Sequence, residues 1–152
     1  MKIKKILCPV DFSEISVNAL DYAVFLASHH HAELLLLHVV EHLHEFEHYQ
    51  ILVFTPQEIS EKMEKNAYEE LNKLAKSIKN TLKVETLIRQ GKAFVEIIKT
   101  AKEKDMDLIV MGSHGRTGIS HMLMGSVAEK VVRKANCPVL IVRDKNTPSD
   151  SS

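Results

Sequence analysis

One glycine-rich segment has residue types and spacing that suit phosphate binding. Gly112-Ser113-His114-Gly115 is followed after nine residues by Gly125-Ser126, which gives the form G-x2-G-x9-G-S. Glycine lets backbone amides approach a phosphate closely, and it adopts a positive φ at low cost. The segment leaves an apolar run and enters a helical pattern, where an anion is favoured at the helix N-terminus. The spacing alone is equally compatible with a long loop whose glycines only make turns.

The elements that must position this segment follow from the apolar pattern. Runs rich in Leu, Ile and Val predict five strands, which we assign to Ile3–Val10, Glu33–Val40, Leu82–Arg89, Asp107–Gly112 and Cys137–Arg143. Helical spacing predicts four helices, the first between an N-cap at Ser13 and the histidines His29–His31, the others over Gln57–Thr81, Ala93–Lys104 and Gly125–Asn136. This alternation of strands and helices predicts a parallel sheet with helices on both faces.

The predicted fold class is α/β, a Rossmann-like doubly wound five-stranded parallel sheet in the order 3-2-1-4-5. Right-handed crossovers leave few other topologies. Such a sheet binds its ligand beyond the carboxyl ends of the strands, where the strand order reverses. The residues just after strands one, two and four are therefore the candidates for a binding site. We predict one domain over residues 1–143 and a disordered polar tail over residues 144–152.

Composition argues against several classes of function. The chain has 152 residues, of which 45% are hydrophobic, and 20 basic side chains balance 20 acidic ones. Zero net charge argues against nucleic acid or an anionic membrane as the main partner. No apolar run approaches the roughly 20 residues that span a bilayer, and no secretory signal is evident, so we expect a cytoplasmic protein. Cys8 and Cys137 are expected to be buried or half-buried reduced thiols.

Four segments resemble the universal stress protein family in the same order along the chain. They are Ile6–Ser16 with its Pro-x-Asp-x-Ser pattern, Leu36–Val39, Met111–Ser126, and Asn136–Val142. Together they extend over nearly the whole chain. Members that bind ATP carry the glycine signature described above, and this sequence keeps every element of it. The resemblance therefore implies an ATP-binding module for stress response or regulation.

The resemblance also implies roles for individual residues around adenine and ribose. Pro9 and Val10 would line the adenine, and backbone groups of Val39 would recognise its edge. Asp11 would accept hydrogen bonds from ribose hydroxyls, and Met111 would pack near the nucleoside. A purely structural interpretation of Asp11, as an Asx turn or helix cap after the strand, stays open.

The remaining implied contacts involve ribose and phosphates. The residues that would hold them, largely through backbone amides, are Gly112, Gly115, Gly125, Ser126 and Val127. His114 and Arg116 lie in the same loop and would add positive charge. The expected ligand is ATP or another adenine nucleotide, with or without Mg²⁺.

Binding is favoured over catalysis by what the sequence lacks. There is no lysine-bearing P-loop of the form G-x4-G-K-[ST], which would place a cation on the outer phosphates. His114 is the only candidate base in the glycine loop, whereas phosphoryl transfer needs placed charge and a placed nucleophile. The alternatives are a slow ATPase, a nucleotidyl-transfer enzyme, and a metal-responsive adaptor.

The adaptor hypothesis depends on the histidines. His42, His44 and His48 alternate with Glu41, Glu45 and Glu47 after the second strand, and imidazole with carboxylate suits zinc. We favour a solvated polar loop and do not expect a zinc site there, and the family resemblance gives zinc no support. His38 lies within an apolar strand and is predicted to be a core histidine with a hydrogen-bond partner.

The last strand predicts a homodimer. Residues 137–143 form an edge strand whose centre, Val139-Leu140-Ile141-Val142, is entirely apolar. An open apolar edge invites uncontrolled pairing unless it is covered, and two copies related by a two-fold axis can cover each other. The family resemblance supports the same arrangement. The alternative is that the polar tail folds back over this edge.

Overall fold

Strands alternate with helices along the chain, and the strands form one parallel sheet. The computed structural model describes residues 1–41, 54–78, 82–115 and 124–144. The elements are β1 (Lys5–Pro9), α1 (Glu14–His30), β2 (Glu33–Val40), α2 (Pro56–Ser77), β3 (Val84–Gln90), α3 (Ala93–Glu103), β4 (Leu108–Gly112), α4 (Ser126–Lys134) and β5 (Val139–Val142). The sheet order is β3-β2-β1-β4-β5, and every neighbouring pair is parallel. The predicted fold class and strand order are confirmed.

The central strand β1 is buried on both faces of the sheet. Ile6 and Cys8 join the cluster beneath α1 and α2, whereas Leu7 joins the cluster beneath α3 and α4. The leucines of Leu34–Leu37 in β2 divide between the same two clusters and are at most 6% exposed. An unbroken apolar run is typical of a strand that is covered on both faces.

Side chains that cap helix ends define several boundaries. Ser13 is the N-cap of α1, and its hydroxyl accepts from the Ser16 amide, as predicted. Thr55 and Glu58 form a capping box at the start of α2, with the Thr55 hydroxyl accepting from the Glu58 amide and the Glu58 carboxylate accepting from the Thr55 amide. The N-cap position of α3 has no capping side chain of its own, and Glu41 accepts from the Ala93 amide at 2.8 Å.

Some element limits differ from those expected from the sequence. Helix α2 ends at Ser77, because Ile78 adopts an extended conformation and is 9% exposed within the core. Strand β5 begins at Val139, since Pro138 has no amide hydrogen and contributes only its carbonyl, which accepts from Ile109. Helix α4 begins at Ser126, with Gly125 as its N-cap.

Several sequence-based predictions fall on residues 42–53, 116–123 and 145–152. The histidines His42, His44 and His48, the loop residue Arg116, and the tail after Asp144 lie outside the described residues. Within the described parts of the chain, no helix is long and apolar enough to cross a membrane. No group of three or more His, Cys, Asp or Glu side chains within those parts could hold a metal ion.

The two thiols should differ in reactivity. Cys8 is fully buried, and burial raises its pKa to about 12, whereas Cys137 is partly exposed. Because the thiolate is the reactive form, a thiol reagent at pH 8 should modify Cys137 first and Cys8 only on unfolding. The Cys137→Ser variant is the control and should be unreactive while folded. Rapid modification of Cys8 in that folded variant would contradict this placement.

We propose that two copies pair through their β5 edges. Leu140 is 37% exposed on this edge strand, whereas Ile141 packs against the cluster beneath α3 and α4. Leu140→Lys therefore alters the edge with least damage to the core. We expect the parent protein to sediment as a dimer at tens of micromolar and Leu140→Lys to sediment as a monomer.

The matched control for the dimer is Val95→Lys. Val95 is 42% exposed on α3, so this change adds the same charge at a comparably exposed position away from β5. It should leave the dimer intact. A monomeric parent, or a Leu140→Lys variant that remains dimeric, would show that β5 is not the interface.

Candidate functional site

The carboxyl ends of β1 and β4 lie side by side where the strand order reverses, which is where a doubly wound sheet has its crevice. The two strands are neighbours in the sheet, and both run in the same direction. The chain leaves β1 towards β2 and leaves β4 towards β5, so the two connections diverge. The helices that follow, α1 and α4, both begin at this edge with their N-termini, which favour anions.

A tight turn after β1 holds Asp11. The Oδ1 atom of Asp11 accepts hydrogen bonds from the Ser13 amide at 3.0 Å and from the Ser13 hydroxyl. The Asp11 amide donates to the Ser16 hydroxyl at 3.3 Å. Phe12 adopts a left-handed conformation with φ 66° between them. The Asx turn that the sequence left open is therefore present, and it uses one carboxylate oxygen.

The other oxygen of the same carboxylate faces the glycine loop. A Cβ atom built on Gly115 would lie 2.6 Å from Asp11 Oδ2, well inside normal contact. Only a residue without a side chain fits there while the carboxylate keeps its position. The absence of a side chain at Gly115 thus brings the loop after β4 directly onto the residue after β1.

The glycine loop is closed at its base. The Gly125 amide donates to the Ser113 carbonyl at 2.6 Å, and a Cβ atom on Gly125 would lie 3.2 Å from that oxygen. Ser113 is itself fixed, because its amide donates to the Val142 carbonyl at 2.8 Å and its hydroxyl lies 2.9 Å from His114 Nδ1. The two ends of the glycine loop are therefore held together by Ser113 and Gly125 without a ligand.

Gly112 serves a different purpose from the other glycines of the signature. A Cβ atom at this position would lie 2.5 Å from Ile15 Cγ2, so the end of β4 packs directly against the first turn of α1. Its backbone is buried. The absence of a side chain at Gly112 therefore allows this close packing of helix on sheet.

The end of β2 extends past the end of β1. Their register pairs finish at Pro9 and Leu37, whereas β2 continues to Val40. Backbone groups alternate in direction along a strand, so those of Val39 face the β1 side as those of Leu37 do. Consistent with this, the Val40 carbonyl faces β3 and accepts from Gly91. Val39 thus presents its backbone edge beyond the last residue of β1.

The apolar residues predicted for the site lie in or beside the two core clusters. Val10 is 3% exposed in the cluster under α1 and α2, and Met111 is 6% exposed in the cluster under α3 and α4. Pro9 is half-buried, and Val127 packs against the same cluster as Met111. Ser126 is exposed at the first position of α4.

The structure brings together most of the predicted site residues, and it adds contributors that the sequence did not single out. Asp11 lies against Gly115, and Gly125 lies against the Ser113–His114 pair. Arg116 is outside the described residues. The Asx turn in which Ser13 binds the Asp11 carboxylate is one of the two interpretations that the sequence leaves open for Asp11. For His38 the sequence predicts only a core histidine with a hydrogen-bond partner.

Comparison with known proteins identifies the family. The profile of the universal stress protein family matches residues 2–143. The chain belongs to the universal stress protein family. Its relatives include the universal stress proteins MJ0577 of Methanocaldococcus jannaschii, 35% identical over 95% of this chain and 97% of that protein, and YxiE of Bacillus subtilis, 39% identical over 91% and 98%.

Solved structures of universal stress proteins share this fold. The superposition on the structure of MJ0577 covers 96% of this chain and 99% of that chain, with a TM-score of 0.84 and 35% sequence identity. Two structures at 23% identity were determined with nucleotides. One is a universal stress protein in complex with cAMP, with a TM-score of 0.68 and coverage of 94% of this chain and 98% of its own. The other is the Archaeoglobus fulgidus protein in complex with dAMP, with a TM-score of 0.65 and coverage of 93% and 99%.

Proposed function

We propose that this universal stress protein binds ATP in the crevice between β1 and β4 and acts as a nucleotide-dependent regulatory module. The observation that carries the proposal is the contact of Gly115 with the Asp11 carboxylate at a loop closed by Gly125. This contact joins a carboxylate acceptor to a glycine-rich phosphate-binding pattern at the place where a doubly wound sheet binds nucleotides. Relatives of the same fold in complex with cAMP and dAMP support an adenine nucleotide as the ligand class.

The proposed contacts follow the position of each residue. Asp11 accepts hydrogen bonds from the ribose hydroxyls, because its carboxylate already faces the loop. The backbone edge of Val39 recognises adenine, which rests between Pro9 and the buried Met111. The phosphates lie over Gly115 and the N-terminus of α4, where the amides of Ser126 and Val127 are offered to an anion and the helix dipole favours negative charge, while the Gly125 amide holds the loop closed on Ser113. His114 borders the phosphates.

Binding without efficient turnover fits the chemistry of this crevice. The sequence has no P-loop lysine. Among the described residues at the crevice, Asp11 is the carboxylate that faces the loop, and it is engaged in a turn. Rapid phosphoryl transfer depends on cations and a nucleophile held in line with the outer phosphate. We therefore favour a module whose state depends on nucleotide occupancy over the slow-ATPase alternative.

ATP should stabilise the folded protein. A ligand at about 100 times its dissociation constant adds roughly 2.7 kcal/mol to the free energy of unfolding. For a domain of this size the melting midpoint rises by roughly 2–4 °C per kcal/mol, so several degrees are expected in thermal unfolding with millimolar ATP. Isothermal titration calorimetry should give a matching binding heat.

Two results would contradict this proposal in different ways. No thermal shift and no binding heat with millimolar ATP would exclude the site. Magnesium-dependent phosphate release well above about one per minute, compared with the ~1–100 per second of kinases, would favour the enzyme alternative instead. Inorganic phosphate at the same concentration is the control for non-specific stabilisation.

The effects of substitutions at Gly115 and Asp11 on ATP affinity should be coupled. A methyl group at Gly115 displaces the Asp11 carboxylate. Gly115→Ala and Asp11→Ala should therefore each weaken ATP binding about tenfold, which corresponds to about 1.4 kcal/mol of binding free energy. The double variant should be no weaker than Asp11→Ala alone, because the group that the methyl displaces is already absent. Calorimetric titration of the four proteins measures this coupling.

The sugar of the nucleotide supplies the control for this cycle. Against deoxy-ATP, which lacks one ribose hydroxyl, the penalty of Asp11→Ala should shrink. Fully additive losses in the double variant would mean that Gly115 and Asp11 contact the nucleotide independently. An Asp11→Ala variant with an unchanged preference for ATP over deoxy-ATP would remove Asp11 from the ribose.

A further inference from the structure

The ladder between β1 and β2 ends with a side chain in place of a backbone donor. In a regular parallel ladder, the Val10 amide donates to the Leu37 carbonyl, and the Val39 amide would then donate to the Val10 carbonyl. The first of these bonds is present at 2.8 Å. The Val10 carbonyl instead lies 2.7 Å from Nδ1 of His38. Among the backbone hydrogen bonds of the described residues, none joins Val39 to Val10.

This contact places a hydrogen atom on Nδ1 of the histidine ring. A carbonyl oxygen can only accept, so Nδ1 of His38 carries the hydrogen and donates it. The ring also packs against Phe12, with 4.6 Å between ring centroids and 31° between ring planes. Phe12 is in the left-handed region, which a bulky residue occupies only when its surroundings hold it there.

His38 thus holds the residues on both sides of Asp11. Its Nδ1–H fixes the carbonyl of Val10, which precedes Asp11, and its ring supports Phe12, which follows. Between these two anchors, the carboxylate of Asp11 binds Ser13 through Oδ1 and faces Gly115 through Oδ2. The direction of the carboxylate therefore depends on the histidine.

We propose that His38 is a positioning residue of the nucleotide site. By donating to the Val10 carbonyl it replaces the Val39 amide in the ladder, which leaves the backbone edge of Val39 to recognise the base. By supporting the turn after β1 it aims Asp11 at the ribose. The inference rests on the proposed nucleotide-binding function, and it adds a residue that does not itself contact the nucleotide.

Three substitutions separate this role from simple filling of the core. The amide nitrogen of asparagine is as many bonds from Cβ as Nδ1 of histidine, whereas that of glutamine is one bond farther. His38→Leu should weaken ATP binding about tenfold, because one positioned hydrogen bond is lost. It should also reduce the preference for ATP over deoxy-ATP and over GTP. His38→Asn should restore most of the affinity and of the preference for ATP over GTP, because it keeps the hydrogen bond to Val10, and His38→Gln should not.

Either of two outcomes overturns the proposal. One is a His38→Leu variant with the parent's affinity and sugar preference. The other is an asparagine variant that binds no better than the glutamine variant. If His38→Leu fails to fold, the comparison of Asn with Gln still decides, because both are polar and of similar bulk.

A measurement without nucleotide separates this inference from the proposed function. At about pH 9, above the ordinary histidine pKa of about 6.5, a long-range ¹H–¹⁵N correlation spectrum of the parent protein reports which ring nitrogen carries the hydrogen. Hydrogen on Nδ1 of His38 supports the proposal, and hydrogen on Nε2 overturns it. A parent protein that binds no nucleotide overturns the proposed function, whatever this spectrum shows.

Discussion

The reversal of strand order at β1 is the constraint on which the site depends. β1 lies between β2 and β4, and the chain connections that follow β1 and β4 lead away from each other, which in a doubly wound sheet leaves an opening between them. The right-handed crossovers of parallel sheets make this opening unavoidable. It needs a rigid base, and β1 supplies one because its central residues Ile6, Leu7 and Cys8 are fully buried between two helical layers.

Close backbone approach turns this opening into a specific site. Gly112 lets the end of β4 touch α1, Gly115 lets the loop touch Asp11, and Gly125 closes the loop onto Ser113. A methyl group at Gly112 or Gly115 would lie within 2.6 Å of a neighbouring side chain, and one at Gly125 would lie 3.2 Å from the Ser113 carbonyl. Among the described residues, the crevice is therefore shaped by backbone and small side chains, which suits binding of a nucleotide through amides more than chemistry on it.

The sequence predicts the sheet order and the helix N-cap at Ser13, because apolar runs, helical periodicity and capping residues are local signals. It also predicts that the residues after β1 and β4 meet, since topology alone brings them together. The capping box at Thr55 also has a local signal, Thr followed three residues later by Glu, whereas the end of α2 has none, because burial of Ile78 in the core is a tertiary effect. The bond from His38 to Val10 spans 28 residues and depends on where β1 leaves the ladder, which no local pattern encodes.

The most direct test of the nucleotide site is a titration of ¹⁵N-labelled protein with ATP, followed through its backbone amide resonances. The account predicts that the amides of Asp11, Val39, Gly115, Gly125 and Ser126 shift together and saturate at one dissociation constant. The amide resonances at the amino ends of the strands, such as those of Lys5, Glu33 and Leu108, should not shift. Saturable shifts confined to the amino ends of the strands, or no saturable shifts at all, would contradict a site at the carboxyl end of β1.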